Sequence, residues 1–107
     1  LRQGKGRVQE MGQEQVGLPL GIDADFDYQQ CEITLSPGDL LVLYTDGINE
    51  AMDSQGQFYG IDRVHRQIAA AADDAKQVGR HIIDDARSFI GDLPHSDDMC
   101  LVCFGRT

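Results

Sequence analysis

Residues 40–45, of sequence LLVLYT, form an almost wholly apolar run that leads directly into Asp46 and Gly47. A short continuous apolar run of this kind is typical of a β-strand buried on both faces. The preceding Ser-Pro-Gly-Asp at residues 36–39 predicts a type II turn, because proline presets φ at the second position and glycine supplies positive φ at the third. The sequence therefore predicts a buried central strand that ends at a carboxylate.

Further elements follow from periodicity on either side of this strand. Alternation with a period of two predicts a half-buried strand at residues 28–35, joined to the central strand as a hairpin, and a short strand candidate lies at 7–11. Between them, residues 16–22 are predicted to form a loop that lays its leucines against a core. Apolar residues at helical spacing predict helices at 61–72 and 75–90, the second capped by Asp73 or Asp74. With a closing strand at 99–104, the order is β-β-β-α-α-β, of the α+β class.

Carboxylates stand at one end of each of the two most apolar strands. Asp46 ends the central strand, and Asp97 and Asp98 precede the closing strand. If these strands are antiparallel neighbours, the carboxylates converge at one edge of the sheet, where their oxygens suit Mg²⁺ or Mn²⁺. Two such metals can activate a water for attack on a phosphate without a side-chain nucleophile. The same residues also suit an ordinary hairpin turn and solvated turn acids, and their chemistry alone does not decide between these interpretations.

Composition restricts the possible partners. The chain has 107 residues, enough for one small domain, and its net charge of −9 argues against nucleic acid and anionic membranes. It contains no apolar run of about 18 residues, so no membrane span is predicted. Three cysteines without framework spacing fit the reducing cytoplasm. The CxxC formed by Cys100 and Cys103 lies within the closing strand and favours buried structural thiols over a redox or zinc site.

Five motifs in order resemble one family. They are GLPLG at 17–21, LSPGD at 35–39, LYTDGINEA at 43–51, FYG at 58–60 and DDM at 97–99. Together they resemble the C-terminal half of the SpoIIE-type branch of the metal-dependent protein phosphatase (PPM) family, the bacterial phosphatase 2C-like group. The resemblance implies part of an α-β-β-α sandwich of mostly antiparallel sheets flanked by helix pairs. Residues 1–107 would then form the C-terminal portion of one such domain.

The resemblance also implies an active site without a side-chain nucleophile. Asp46 and Asp97 would be ligands of a two-metal Mn²⁺ or Mg²⁺ centre, with Asp98 assisting and Gly47 allowing close backbone approach. His95 is near this site in the sequence and is a further candidate, for contact with a metal-bound water or with phosphate. The implied activity is hydrolysis of phosphoserine or phosphothreonine on a regulatory protein such as an anti-sigma-factor antagonist. An upstream sensor or receiver domain would control it.

Two departures from the family pattern leave an alternative open. Cys100 stands where the family usually has threonine, a change expected to leave the metals untouched. More importantly, nothing in residues 1–35 matches the family's N-terminal acidic motif, whose aspartate bridges both metals, so this chain is expected to supply about half of the site. The alternative is a non-catalytic regulatory or interaction module that keeps a degenerate phosphatase fold.

Overall fold

Two strands and three α-helices form the regular structure of residues 1–71, 73–94 and 97–107, which this computed structural model describes. A single-turn 3-10 helix at Gln13–Gln15 comes before them. In chain order they are β1 (Leu40–Tyr44), α1 (Asp46–Asn49), α2 (Ile61–Ala70), α3 (Ala75–Ile90) and β2 (Leu101–Gly105). The mixture of helices with an antiparallel sheet confirms the predicted α+β class.

The sheet pairs β1 with β2 in antiparallel register, with Leu40 opposite Gly105 and Tyr44 opposite Leu101. This confirms that the two most apolar segments are antiparallel neighbours. The predicted turn before β1 is also present, since the Asp39 amide donates to the Ser36 carbonyl at 3.0 Å and Gly38 has φ 90°. β1 therefore begins at a tight turn and runs beside the last strand of the chain.

The two faces of this sheet are buried to different extents. Val42, Tyr44 and Cys103 pack against the core on the side of α3. On the other face, Leu43 is 52% exposed and its partner across the ladder, Val102, is 51% exposed. The prediction that β1 is buried on both faces is therefore wrong for the described part of the chain, because Leu43 on this second face is half exposed.

The two longer helices, α2 and α3, are amphipathic, as the spacing of their apolar residues predicts. Val64 and Ile68 of α2 are buried, and α3 buries the four residues Val78, Ile82, Ala86 and Ile90. The Asp74 side chain caps α3 by accepting the Lys76 amide, and Gly91 with φ 67° ends it. The bounds of α3 match the prediction, whereas α2 ends two residues early, with Ala72 outside the described residues. None of the helices in this part of the chain has the length and apolar character to cross a membrane.

A buried arginine near the start of the chain fixes the end of α2. Arg2 is 1% exposed, and its Nη1 donates to the carbonyls of Ile68 at 3.1 Å and Ala71 at 2.9 Å. Its Nη2 donates to Asp73 at 3.1 Å. The last carbonyls of a helix have no partner within the helix and carry its negative dipole end, so a cation stabilises them. Sequence periodicity gave no indication of this contact.

Three predictions for the first half of the chain are wrong. Residues 7–11 and 28–35 form no strand, so the hairpin with β1 is absent from the described structure, and only isolated bridges join Arg2 to Val8 and to Leu40. The loop at 16–22 does not lay its leucines on a core, since Leu20 is 86% exposed. Apolar alternation forms a strand only where a partner strand is available, and the described residues provide none here. The cysteine prediction also fails in part, because Cys100 is exposed.

Candidate functional site

The carboxylate of Asp46 lies where β1 turns into α1. Thr45 is extended, with ψ 161°, and Asp46 is the first residue of the helix. Ile48 is fully buried and Ala51 is 3% exposed, so the apolar side of this segment belongs to the core. Asp46 itself is exposed. The strand and the core thus fix the backbone of Asp46 while its side chain faces solvent.

Thr45 joins this turn to the segment that precedes β2. Its amide donates to the Cys100 carbonyl at 3.1 Å, and its hydroxyl accepts the Cys100 amide at 3.1 Å. The same hydroxyl donates to the Asp98 carbonyl at 3.2 Å. These contacts hold the backbone of residues 98–100 against the end of β1.

Gly47 makes the closest contact between the two segments. A Cβ placed on Gly47 would lie 2.0 Å from the Asp98 carbonyl oxygen and 2.7 Å from its carbonyl carbon. No side chain fits in that space, so glycine is required for the approach. The backbones of the Asp46–Gly47 and Asp97–Asp98 pairs are therefore packed together, as the predicted convergence at one sheet edge requires.

The side chains of these residues are less closely grouped than their backbones. Asp46 borders a cavity of about 520 Å³, which Tyr44 and Asn49 also line. Asp97 and Gly47 border a different one of about 160 Å³. Within residues 1–71, 73–94 and 97–107, no group of three His, Cys, Asp or Glu side chains is placed to hold a metal ion. His95 lies outside the described residues.

The donors present nevertheless suit a hard divalent cation in kind. Asp46, Asp97 and Asp98 offer exposed carboxylate oxygens. The Oδ1 of Asn49, on the cavity that Asp46 borders, is buried and has no hydrogen-bond partner among the described residues. Sequence analysis did not single out Asn49. These residues fit part of a donor set for such an ion, and further ligands would have to complete it.

The FYG motif at 58–60 holds the C-terminal end of α1 through backbone hydrogen bonds. The Tyr59 amide donates to the Ala51 carbonyl at 2.6 Å, and the Gly60 amide donates to the Asn49 carbonyl at 2.8 Å. The Tyr59 hydroxyl donates to the Asp85 carboxylate on α3. Burial, and then the bond to Asp85, raise the pKa of Tyr59 well above its usual value. The phenol therefore stays protonated and remains a donor at physiological pH.

Arg63 of α2 binds the backbone of the same motif. Its Nη1 donates to the carbonyls of Tyr59 at 2.7 Å and Phe58 at 3.1 Å. Its guanidinium lies 4.6 Å from the centre of the Phe89 ring, and that ring meets Tyr59 edge-on with centroids 5.5 Å apart. Tyr59 is consequently fixed between α2 and α3. Sequence analysis found the motif but not its contacts with Arg63 and Phe89, because periodicity places a residue on a helix face without identifying its partner.

Comparison with known proteins identifies the class. Residues 1–107 match the family model described as Stage II sporulation protein E (SpoIIE). The chain belongs to this family, which confirms the resemblance drawn from the five motifs.

Two relatives define the likeness further. The phosphoserine phosphatase RsbU of Bacillus subtilis (strain 168) is 30% identical over 93 residues, which are 87% of this chain and 28% of that protein. The solved SiaA-PP2C domain of Pseudomonas aeruginosa matches with a TM-score of 0.65 and 22% identity, covering 78% of this chain and 35% of that one. The second match shows that the fold is of the PP2C kind. The chain spans less than a third of the length of RsbU.

Proposed function

We propose that this chain is the C-terminal portion of a SpoIIE-type protein phosphatase domain, which hydrolyses phosphoserine or phosphothreonine on a regulatory protein. The observation that carries the proposal is the contact of Gly47 with the Asp98 carbonyl. It sets the start of α1, with Asp46, against the Asp97–Asp98 pair, as a shared metal centre would need. The name of RsbU as a phosphoserine phosphatase supports the same class of reaction.

In this proposal each residue of the junction has a separate role. Asp46 and Asp97 hold Mn²⁺ or Mg²⁺, Asp98 assists, and ligands from outside this chain complete the set. When bound, such ions supply an activated water and stabilise the leaving oxygen of the phosphate ester. Gly47 and Thr45 keep the two acidic segments together, and His95, outside the described residues, would contact a metal-bound water or the phosphate.

The same proposal extends to partners and location. The substrate would be a phosphoprotein resembling an anti-sigma-factor antagonist, and an upstream sensor or receiver domain would regulate the enzyme. A net charge of −9 opposes binding to nucleic acid, since phosphates would be repelled. Three cysteines that form no disulfide among the described residues are compatible with the cytoplasm.

The test uses the full-length gene product, a phosphoserine peptide and Mn²⁺. Asp46→Asn and Asp97→Asn are each expected to lower kcat/KM by about 100-fold or more, since losing even an outer-shell partner of a metal costs about 10–100-fold. Asp27→Asn is the matched control, because Asp27 is an exposed loop carboxylate that makes no hydrogen bond or ion pair in the described structure. Hydrolysis that is unaffected by Asp46→Asn would remove that residue from the site.

A non-catalytic module remains the second candidate. The observation in its favour is that residues 1–71, 73–94 and 97–107 bring together no three metal-binding side chains. For this candidate, the full-length protein would bind a phosphorylated regulatory protein without hydrolysing it and would take up no Mn²⁺ in calorimetry. Release of phosphate that depends on Mn²⁺ would contradict it.

A further inference from the structure

We propose that Tyr59 and Asp85 are positioning residues, which set the affinity of the candidate metal site by fixing α1 and therefore Asp46. Asp85 lies on α3, outside the acidic motifs, and Tyr59 is the central residue of FYG. The inference rests on the proposed function, because it assumes that Asp46 binds a metal ion. It adds two residues that touch neither the metal nor the substrate.

α1 depends on its surroundings for its position. It contains only four residues, and a helix of this length has no stability of its own in water. β1 and Thr45 hold its N-terminal end, as described above. Its C-terminal end is held by the amides of Tyr59 and Gly60, which donate to Ala51 and Asn49. The direction of α1 is therefore fixed at both ends by neighbours.

Tyr59 is itself fixed by the two long helices. It is 1% exposed, and its hydroxyl donates a hydrogen bond to the carboxylate of Asp85. Phe89 meets the ring, and Arg63 binds the Tyr59 carbonyl. α2, α3 and α1 thus meet at one residue, and the bond to Asp85 is the polar link from its side chain to α3.

This link can be cut without removing the packing around it. Tyr59→Phe keeps the ring, its contact with Phe89 and both backbone bonds to α1, and it removes only the hydroxyl. The buried residues of α3 remain in place in such a variant. Metal sites need their ligands within about 0.5 Å of the productive geometry, so a small shift of α1 lowers metal affinity before it unfolds the protein.

The experiment measures Mn²⁺ binding to the full-length gene product by calorimetry without substrate, together with kcat at saturating Mn²⁺. Tyr59→Phe and Asp85→Ala are expected to weaken Mn²⁺ binding by about 3- to 10-fold. This is the change in Kd that corresponds to the net free energy of one hydrogen bond. The value of kcat at saturating Mn²⁺ should stay within about twofold, since Asp46 remains present.

Two further variants separate positioning from general stability. Asp85→Asn keeps an oxygen that accepts from the Tyr59 hydroxyl, and it is expected to restore Mn²⁺ affinity to near the wild-type value. Asp84→Ala removes the neighbouring carboxylate, which is exposed and makes no hydrogen bond or ion pair in the described structure, and it should leave affinity unchanged. Melting temperatures of the metal-free proteins complete the comparison.

The outcomes are distinct. If Tyr59→Phe and Asp85→Ala lower the melting temperature but bind Mn²⁺ as the wild type does, the two residues are structural only and the inference is overturned. If the wild type takes up no Mn²⁺, the proposed function is overturned and the inference with it. Weaker binding in both variants, with recovery in Asp85→Asn, supports the inference.

Discussion

Substitution of Gly47 by alanine tests the contact on which the candidate site depends. The added Cβ would lie 2.0 Å from the Asp98 carbonyl oxygen, and real Cβ contacts essentially never fall below 3.0 Å. The two backbones must therefore move apart by about 1 Å, because no side-chain rotation relieves a clash between Cβ and a main-chain oxygen. Such overpacking costs about 1–3 kcal/mol, more than the roughly 0.5–1 kcal/mol that alanine gains over glycine within a helix.

Thermal unfolding of the purified protein measures this cost. Each kcal/mol is expected to lower Tm by about 4–8 °C in a domain of 60–100 residues and by about 2–4 °C in one of 150–250 residues. Gly6→Ala is the matched control, since its nearest neighbour would lie 3.7 Å from the new Cβ, an ordinary contact. The reasoning is refuted if Gly47→Ala has the stability of Gly6→Ala, because the Asp97–Asp98 pair then does not pack on α1.

Three more perturbations test other parts of the structure. Arg2→Met should lower the free energy of unfolding in urea by about 2–4 kcal/mol, because it leaves the buried carbonyls of Ile68 and Ala71 without this hydrogen-bond donor. Lys5→Met should have little effect. Iodoacetamide should label the exposed Cys31 and Cys100 before Cys103, whose pKa burial raises, and mass spectrometry that finds equal rates would contradict this. Because the pKa of Tyr59 lies above its unfolded value of 10.0, its stabilising effect is present below that pH and is lost as the pH rises beyond it. From about pH 9 to 11, the free energy of unfolding measured in urea should therefore fall more steeply with pH for the wild type than for Tyr59→Phe.

The second half of the fold follows closely from sequence patterns. α3 has the predicted bounds because its apolar spacing, the Asp74 cap and the terminating Gly91 all act within one segment. The apolar character of β1 and β2 predicts two buried strands, and their antiparallel pairing, which the sequence offered only as a condition, is shown by the structure. The first half does not follow, because a strand at residues 28–35 needs a partner that the described residues lack. A local apolar pattern can predict a strand, but the strand forms only where a partner strand can pair with it.

The candidate site was only partly accessible to sequence reasoning. Asp46, Gly47 and the Asp97–Asp98 pair were found from motifs, and the structure brings their backbones together. The link from Tyr59 to Asp85 and the position of Arg2 were not found. Each depends on a side chain that meets a partner at least 26 residues away, and no local period encodes such a contact.

Because β1 pairs with β2, each residue of β1 is synthesised 57 to 65 residues before its partner in the ladder. Until β2 has been made, β1 lacks its ladder partner and Thr45, next to Asp46, lacks its contact with Cys100. Contacts between such distant parts of a chain slow folding and lengthen the period in which aggregation competes. The arrangement that brings the acidic segments together thus also delays the candidate site until β2 has been made.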